Sequence, residues 1–219
     1  MSHIHIPDGV ADNIWWLLVL SYIVVILLLM LIFKRVDREE VGRKVPLVAI
    51  MSAVMLIAMS VPMGFLPFHI NLAALCGILV GYELGFIAVF VINLLLSFVG
   101  HGGITVVGLN SIILGIEMAL AYIFYRRLAQ EGKEGILSFL STALALLIST
   151  TVSIIIIILI MGDGPKESIL NHSHIKDGGL LIFFIVLAIG ITLESTITGL
   201  IVAFLSKVKP DLIRPSERH

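Results

Sequence analysis

Charge is what this sequence has least of. Of its 219 residues only 13% are Asp, Glu, Lys or Arg and 59% are hydrophobic, giving a mean hydropathy of +1.12, whereas soluble globular domains carry about 25% charged residues. That shortage excludes a water-soluble fold for most of the chain. Neither sign is in excess. The formal net charge of −1 gives no global pull toward nucleic acid or anionic lipid, so ionic specificity has to come from local clusters. The single cysteine, Cys76, excludes an internal disulfide and, set in an apolar run, reads as a buried thiol acting as a small hydrophobe. No Gly-x-x-x-x-Gly-Lys-Ser/Thr phosphate loop is present, so the chain does not hydrolyse ATP by that route. No His-Glu-x-x-His pair marks an intramembrane zinc enzyme, the rival from a different functional class. The N-terminal Met-Ser-His-Ile-His-Ile-Pro-Asp-Gly lacks the basic stretch of a secretory signal and reads as part of the mature protein.

What the chain does have is long apolar runs. A helix crosses a bilayer with about 20 mainly apolar residues, because the hydrocarbon core is about 30 Å thick and each residue rises about 1.5 Å. The runs predict membrane helices near Ile14 to Phe33, Val45 to Val61, Ile70 to Tyr82, Leu84 to Val99, Val107 to Tyr125, Ile136 to Met161 and Gly179 to Ser206. The expected fold is therefore an all-α integral membrane protein of about seven transmembrane helices in one membrane domain, residues 1–219. Residues 1–13 form an N-terminal segment, 14–206 the bundle and 207–219 a cytoplasmic tail.

The stretch from Ile70 to Val99 could be one tilted helix or two short ones turning at Tyr82-Glu83, and the basic residues decide. Cytoplasmic loops are enriched in Lys and Arg. Splitting the stretch puts twelve of the fourteen on one side, leaving only Lys166 and Lys176 opposite. Fusing it would separate the Arg126 loop from the equally basic Lys34 loop. The expectation is thus seven helices, N-terminus outside and C-terminus in the cytoplasm of a prokaryotic cell. Both halves of the split stretch are short, which predicts tilt, a re-entrant course or burial inside the bundle. Gly77, Gly81 and Gly85 recur every four residues there, the spacing that lets helix backbones approach closely, within the subunit in preference to a partner.

On this map six of the seven histidines fall on the outer side: His3 and His5 at the N-terminus, His69 between helices two and three, His101 between four and five, and His172 and His174 between six and seven. His219 ends the chain. Imidazole is the usual ligand of Ni, Co, Cu and Zn, whereas Ca and Mg prefer oxygen. Met1-Ser2-His3 sets an imidazole third from a free amine, so that amine, backbone amides and imidazole can close around one metal in a plane, a geometry suited to Ni(II) or Cu(II). Removal of Met1 would leave three nitrogens from Ser2 and His3, and His69 is the candidate fourth ligand. Pro7-Asp8-Gly9 is turn chemistry, so the segment folds back instead of starting a helix. Asp8 either holds the second nitrogen of a ligand imidazole or stabilises the turn. His172 and His174 read as solvated loop residues. Asn110, Glu117 and Glu194 lie at membrane depth, where polar groups are costly unless paired, and read as hydrogen bonds between helices.

His5-Ile6-Pro7-Asp8-Gly9 resembles the N-terminal signature of the cobalt and nickel S components of energy-coupling-factor transporters, the CbiM/NikM type. His69, twelve residues before Gly81, is similar to the family's histidine that opens a short Gly- and Ala-rich helix. Gly102-Gly103-Ile104-Thr105 with Gly108 and Asn110 resembles its Gly-Gly-x-x-x-x-Gly-x-Asn loop, and Glu194 and Thr198 fit its last helix. The resemblance implies an N-terminal strand threaded into a seven-helix bundle, with the terminal amine, a neighbouring histidine and the histidine of the third helix binding the metal. Carried over, the ligands are the nitrogens of Met1 or Ser2, then His3 or His5, and His69. Two departures stand out. The commoner form begins Met-His-Ile-Pro-Asp-Gly, so here either His3 chelates with the amine and His5 supports it, or the start lies elsewhere; His3 is preferred. His101 replaces an aspartate of the commoner loop and adds an imidazole near the outer mouth.

The expected function is the substrate-binding membrane subunit of an ATP-driven importer of Ni2+ or Co2+. It is not itself an enzyme and needs no resident cofactor. The resemblance implies as partners a transmembrane coupling (T) subunit, two ATPase subunits and a small accessory membrane protein. A proton-coupled secondary transporter would need an acidic path through the bundle, and Glu117 and Glu194 are too few and too scattered for one. A vitamin-binding S component would carry no metal, so elemental analysis discriminates it.

Overall fold

The computed structural model describes residues 14–36, 38–60, 69–100, 103–128, 130–161 and 180–213. Among them the fold is all-α, with no strand: α1 Trp15–Arg35, α2 Arg38–Ser60, α3 Ala73–Val80, α4 Tyr82–Phe98, a 3-10 turn Ile104–Val106, α5 Val107–Leu128, α6 Glu134–Met161, α7 Leu180–Val208 and α8 Pro210–Ile213. The expected N-terminal segment, 1–13, lies outside the described residues. Among the described residues four segments are long and apolar enough to cross a membrane alone: Trp15–Arg35, Ile104–Leu128, Glu134–Leu159 and Leu181–Val208; Lys44–Ser60 and Tyr82–Phe98 are shorter apolar helices. Their outer faces carry exposed Leu, Ile, Val and Phe side chains, as lipid contact requires. α2 starts seven residues before its apolar stretch does, because a helix can continue past the hydrocarbon edge while hydropathy reports only the part inside it.

The Ile70 to Val99 stretch is two helices, and Gly81 is the break. Its φ of +96° and ψ of 167° belong to a region essentially reserved for glycine. In an unbroken helix Gly77 and Gly85 would lie about 12 Å apart along the axis. Instead a Cβ on Gly77 would meet the Met118 carbonyl oxygen at 2.4 Å, and one on Gly85 would meet Met118 Sδ at 2.5 Å. Both glycines therefore close on the same residue of α5, and α3 and α4 fold back on each other around it. The glycine repeat thus serves packing within the subunit at its outer members and the reversal at its middle one.

α3 corrects the expected span. It covers only eight residues, about 12 Å at 1.5 Å per residue, well short of a bilayer, and it starts at Ala73 where hydropathy placed the start at Ile70. The physical reason is Leu72, which sits in the left-handed region at φ +58° and stops the helix from running backward. All eight α3 residues are buried. Irregular backbone at membrane depth is tolerated only under such enclosure.

Basic residues gather at one end of the bundle. Lys44 Nζ donates to Val80 O at the end of α3, 3.3 Å away. Next to it, Tyr82 packs on Tyr122 with ring centroids 5.6 Å apart, and Arg126 stands over the Tyr122 ring. Arg35 and Glu83 line one cavity at this end. At the start of α6, Gly135 closes on Gly199 and Ala203 of α7, which brings the Arg126–Lys133 connection and the Lys207 end of α7 to the same side. This clustering is what the split of the stretch anticipated.

Candidate metal site

α3 is a half-length helix whose C-terminus lies at the basic end, so its N-terminus stops inside the bundle. What meets it there comes from the middles of the long helices. Glu194, near the centre of α7, is fully buried; its Oε1 accepts the Leu72 N–H at 2.9 Å and its Oε2 the Asn71 N–H at 3.5 Å. Asn71 Oδ1 accepts the Ala73 N–H at 2.6 Å. Glu117 is central in α5 and also fully buried, and its Oε2 accepts from Ser149 Oγ of α6 at 3.1 Å. The first N–H groups of a helix have no partner within it, and the positive end of its dipole favours an acidic neighbour. Glu194 meets both needs, so a costly buried carboxyl is satisfied by groups that would otherwise be unsatisfied. Glu117 makes the expected hydrogen bond between helices, α5 to α6, whereas Glu194 bonds to the turn that precedes α3.

His69 is the histidine among the described residues, and it is partly buried. It stands three positions before Leu72, a reach of at most about 10 Å, and so lies close to the N-terminal tip of α3. Ile70 and Asn71 after it are buried. Met1, Ser2, His3, His5 and His101 lie outside the described residues, as do Asp8, His172 and His174. Among the described residues no three His, Cys, Asp or Glu side chains converge. Cys76 is buried within α3, as its apolar setting predicts.

The glycine loop after His101 is fixed at its inner end. Gly103 adopts φ +140°, and Tyr22 Oη of α1 donates to Ile104 O. Four residues on, a Cβ at Gly108 would meet Ser21 Oγ at 2.7 Å and Tyr22 N at 2.9 Å, so α1 and α5 touch through this glycine. Asn110, two residues further along α5, is buried. These contacts hold the segment following His101 against α1.

A cavity of about 290 Å³ lies between α1, α4 and α5 near the basic end, lined by Leu28, Ile32, Arg35, Tyr82, Phe86 and other residues. Its lining includes no imidazole. Sequence reasoning missed the pairing of Glu194 with Leu72 and Asn71. The one available signal was an acidic residue at the centre of an apolar helix.

Residues 5–212 match the family described as the CbiM cobalt uptake substrate-specific transmembrane region. No curated protein matches the sequence significantly. A solved structure described as a transition metal transporter superposes with a TM-score of 0.66 at 22% identity, covering 94% of this chain and 93% of that one. A second, described as a truncated transition metal transporter, gives a TM-score of 0.66 at 21% identity over 94% and 99% of the two chains.

Proposed function

The chain belongs to the CbiM family of substrate-specific transmembrane components of metal uptake, and from that premise we propose that it captures Ni2+ or Co2+ at the outer face of the membrane with nitrogen ligands. The ligand set proposed is the amine of Met1, or of Ser2 if Met1 is removed, with His3 and His69; His5 and His101 stand as supporting imidazoles. The observation that supports this reading is a partly buried His69 close to the N-terminal tip of a half-length helix. Imidazole and amine nitrogens suit a borderline divalent ion, and planar amide coordination favours nickel over cobalt.

Binding proceeds by displacement of protons from amine, amide and imidazole, because each of these ligands binds metal only when deprotonated. In this reading the N-terminus faces outward, since the clustered basic end belongs to the cytoplasm. Inward release is driven by partners: a transmembrane coupling subunit with two ATPase subunits and a small accessory membrane protein. The chain itself has no phosphate loop and supplies the binding site alone.

The test is a titration of the purified chain with Ni(II) and Co(II), alongside a variant carrying a short extension ahead of Met1 and the variants His3→Ala, His5→Ala and His69→Ala. Loss of tight binding in the extended chain, in His3→Ala and in His69→Ala is expected. Full affinity in the extended chain would remove the amine from the site, and full affinity in His69→Ala would remove the bundle's imidazole.

A further inference from the structure

We propose that Glu194 is a positioning residue for metal binding: by holding the turn at Asn71-Leu72 it stops α3 from winding backward and so fixes where His69 points. The proposal rests on the reading of His69 as a ligand. Its basis is a conflict between local sequence and observed backbone. Ile70 to Val80 is an unbroken apolar run apart from Asn71, and nothing in it marks Leu72 as a helix stop. Leucine is a good helix former and a poor occupant of the left-handed region. Leu72 is nevertheless at φ +58°, ψ 20°, with no side chain of its own capping the helix.

Two contacts hold that conformation. Asn71 Oδ1 takes the Ala73 N–H at 2.6 Å, and the Glu194 carboxyl takes the Leu72 N–H at 2.9 Å from a position 122 residues away. Without the carboxyl, the Leu72 N–H would lack an acceptor in a buried setting, and the cheapest remedy is an intrahelical one. α3 would gain residues at its N-terminus and bond the freed N–H to a carbonyl four positions earlier. Every residue added to the helix turns the chain by about 100°, so the imidazole three positions before Leu72 would be swung to another side of α3. In this proposal the effect of Glu194 on the imidazole is exerted through the backbone of Asn71 and Leu72.

The experiment is a double-mutant cycle on the full chain purified in detergent. Ni(II) affinity is measured for wild type, Glu194→Ala, Glu194→Gln, Glu194→Asp, His69→Ala and the Glu194→Ala/His69→Ala pair, and folding is followed by protection of the Cys76 thiol. Glu194→Ala should lose about tenfold or more in affinity, the range seen when outer partners of metal ligands are removed. In the His69→Ala background the same change should cost almost nothing, because there is no imidazole left to misdirect. Glu194→Gln keeps a carbonyl acceptor at the same reach and should retain most of the affinity; Glu194→Asp keeps the acid but is one methylene shorter, and should retain less.

Equal loss in both backgrounds, or full affinity in a folded Glu194→Ala chain, would overturn the positioning role while leaving His69 as ligand. If Glu194→Ala does not fold, the order of Gln and Asp decides: Asp above Gln would mean that the acid, and not the reach of an acceptor, matters, and would overturn it too. Undiminished affinity in His69→Ala would remove the ligand reading and this proposal together.

Discussion

Gly77→Ala is the sharpest probe of how α3 is seated. A methyl on Gly77 would sit 2.4 Å from Met118 O, 2.8 Å from Met118 Cγ and 3.1 Å from Met118 C, whereas close carbon-to-oxygen contacts run at about 3.3 Å or more. The nearest atom is backbone, so no rotamer change relieves the collision and α3 must part from α5 by about 1 Å. A gap of that size forfeits a quarter to a half of the dispersion energy across it, and all eight residues of α3 are buried. Overpacking a core costs about 1–3 kcal/mol; with a rigid backbone obstacle we expect about 2–3 kcal/mol. The chain supplies its own reporter, since its one cysteine, Cys76, is in α3 and fully buried. If labelling by a fluorogenic maleimide requires transient opening, 2 kcal/mol accelerates it by about thirtyfold. Gly85→Ala is the internal control: its nearest clash, at 2.5 Å, is with the flexible Met118 Sδ. Adding Met118→Ala should therefore couple favourably with Gly85→Ala by about 1 kcal/mol and less strongly with Gly77→Ala. Unchanged Cys76 labelling in Gly77→Ala would refute the close approach of α3 and α5.

Three further outcomes are expected. Glu117→Gln, which keeps an acceptor for Ser149 Oγ, should cost less than about 1 kcal/mol, whereas Glu117→Ala leaves a cavity and removes that acceptor and should cost about 2–3 kcal/mol; equal melting temperatures would contradict the contact. Metal affinity should fall as pH is lowered from about 8 to about 6, with protons released on binding, because protons compete for the ligand nitrogens; calorimetry in buffers of different ionisation enthalpy measures this, and a pH-independent affinity would exclude nitrogen donors. In a Cys76→Ala background, Glu131→Cys in the α5–α6 connection should react with an impermeant maleimide only from the cytoplasmic side; labelling from outside would invert the proposed topology.

Much of the fold was legible in the sequence because a bilayer reduces the problem to apolar length and the placement of Lys and Arg. The break at Gly81 illustrates this. Hydropathy alone runs through it, but the basic loops around Lys34 and Arg126 can share a side only if the chain reverses there, and the two ends do meet around Val80 and Tyr82. The left-handed Leu72 was not legible, since it is imposed by a carboxyl far along the chain and leucine carries no local mark of that conformation. For the same reason α3 was expected to start at Ile70. Of the candidate ligands, His69 was proposed from its place in the sequence, but that it precedes a half-length helix depends on packing of α3 against α5, α6 and α7. His3, His5 and His101 lie outside the described residues, so for them the sequence is the guide.

The contact of Lys44 with Val80 has a consequence for how the subunit can move. α3 is tethered at opposite poles, an ammonium group at its negative end and a carboxyl at its positive one, each arrangement favourable to the helix dipole. Such a rod resists being stretched or rotated piecemeal. A pull applied at the Val80–Tyr82 turn would reach the opposite tip with little damping, about 12 Å away along eight stiff residues.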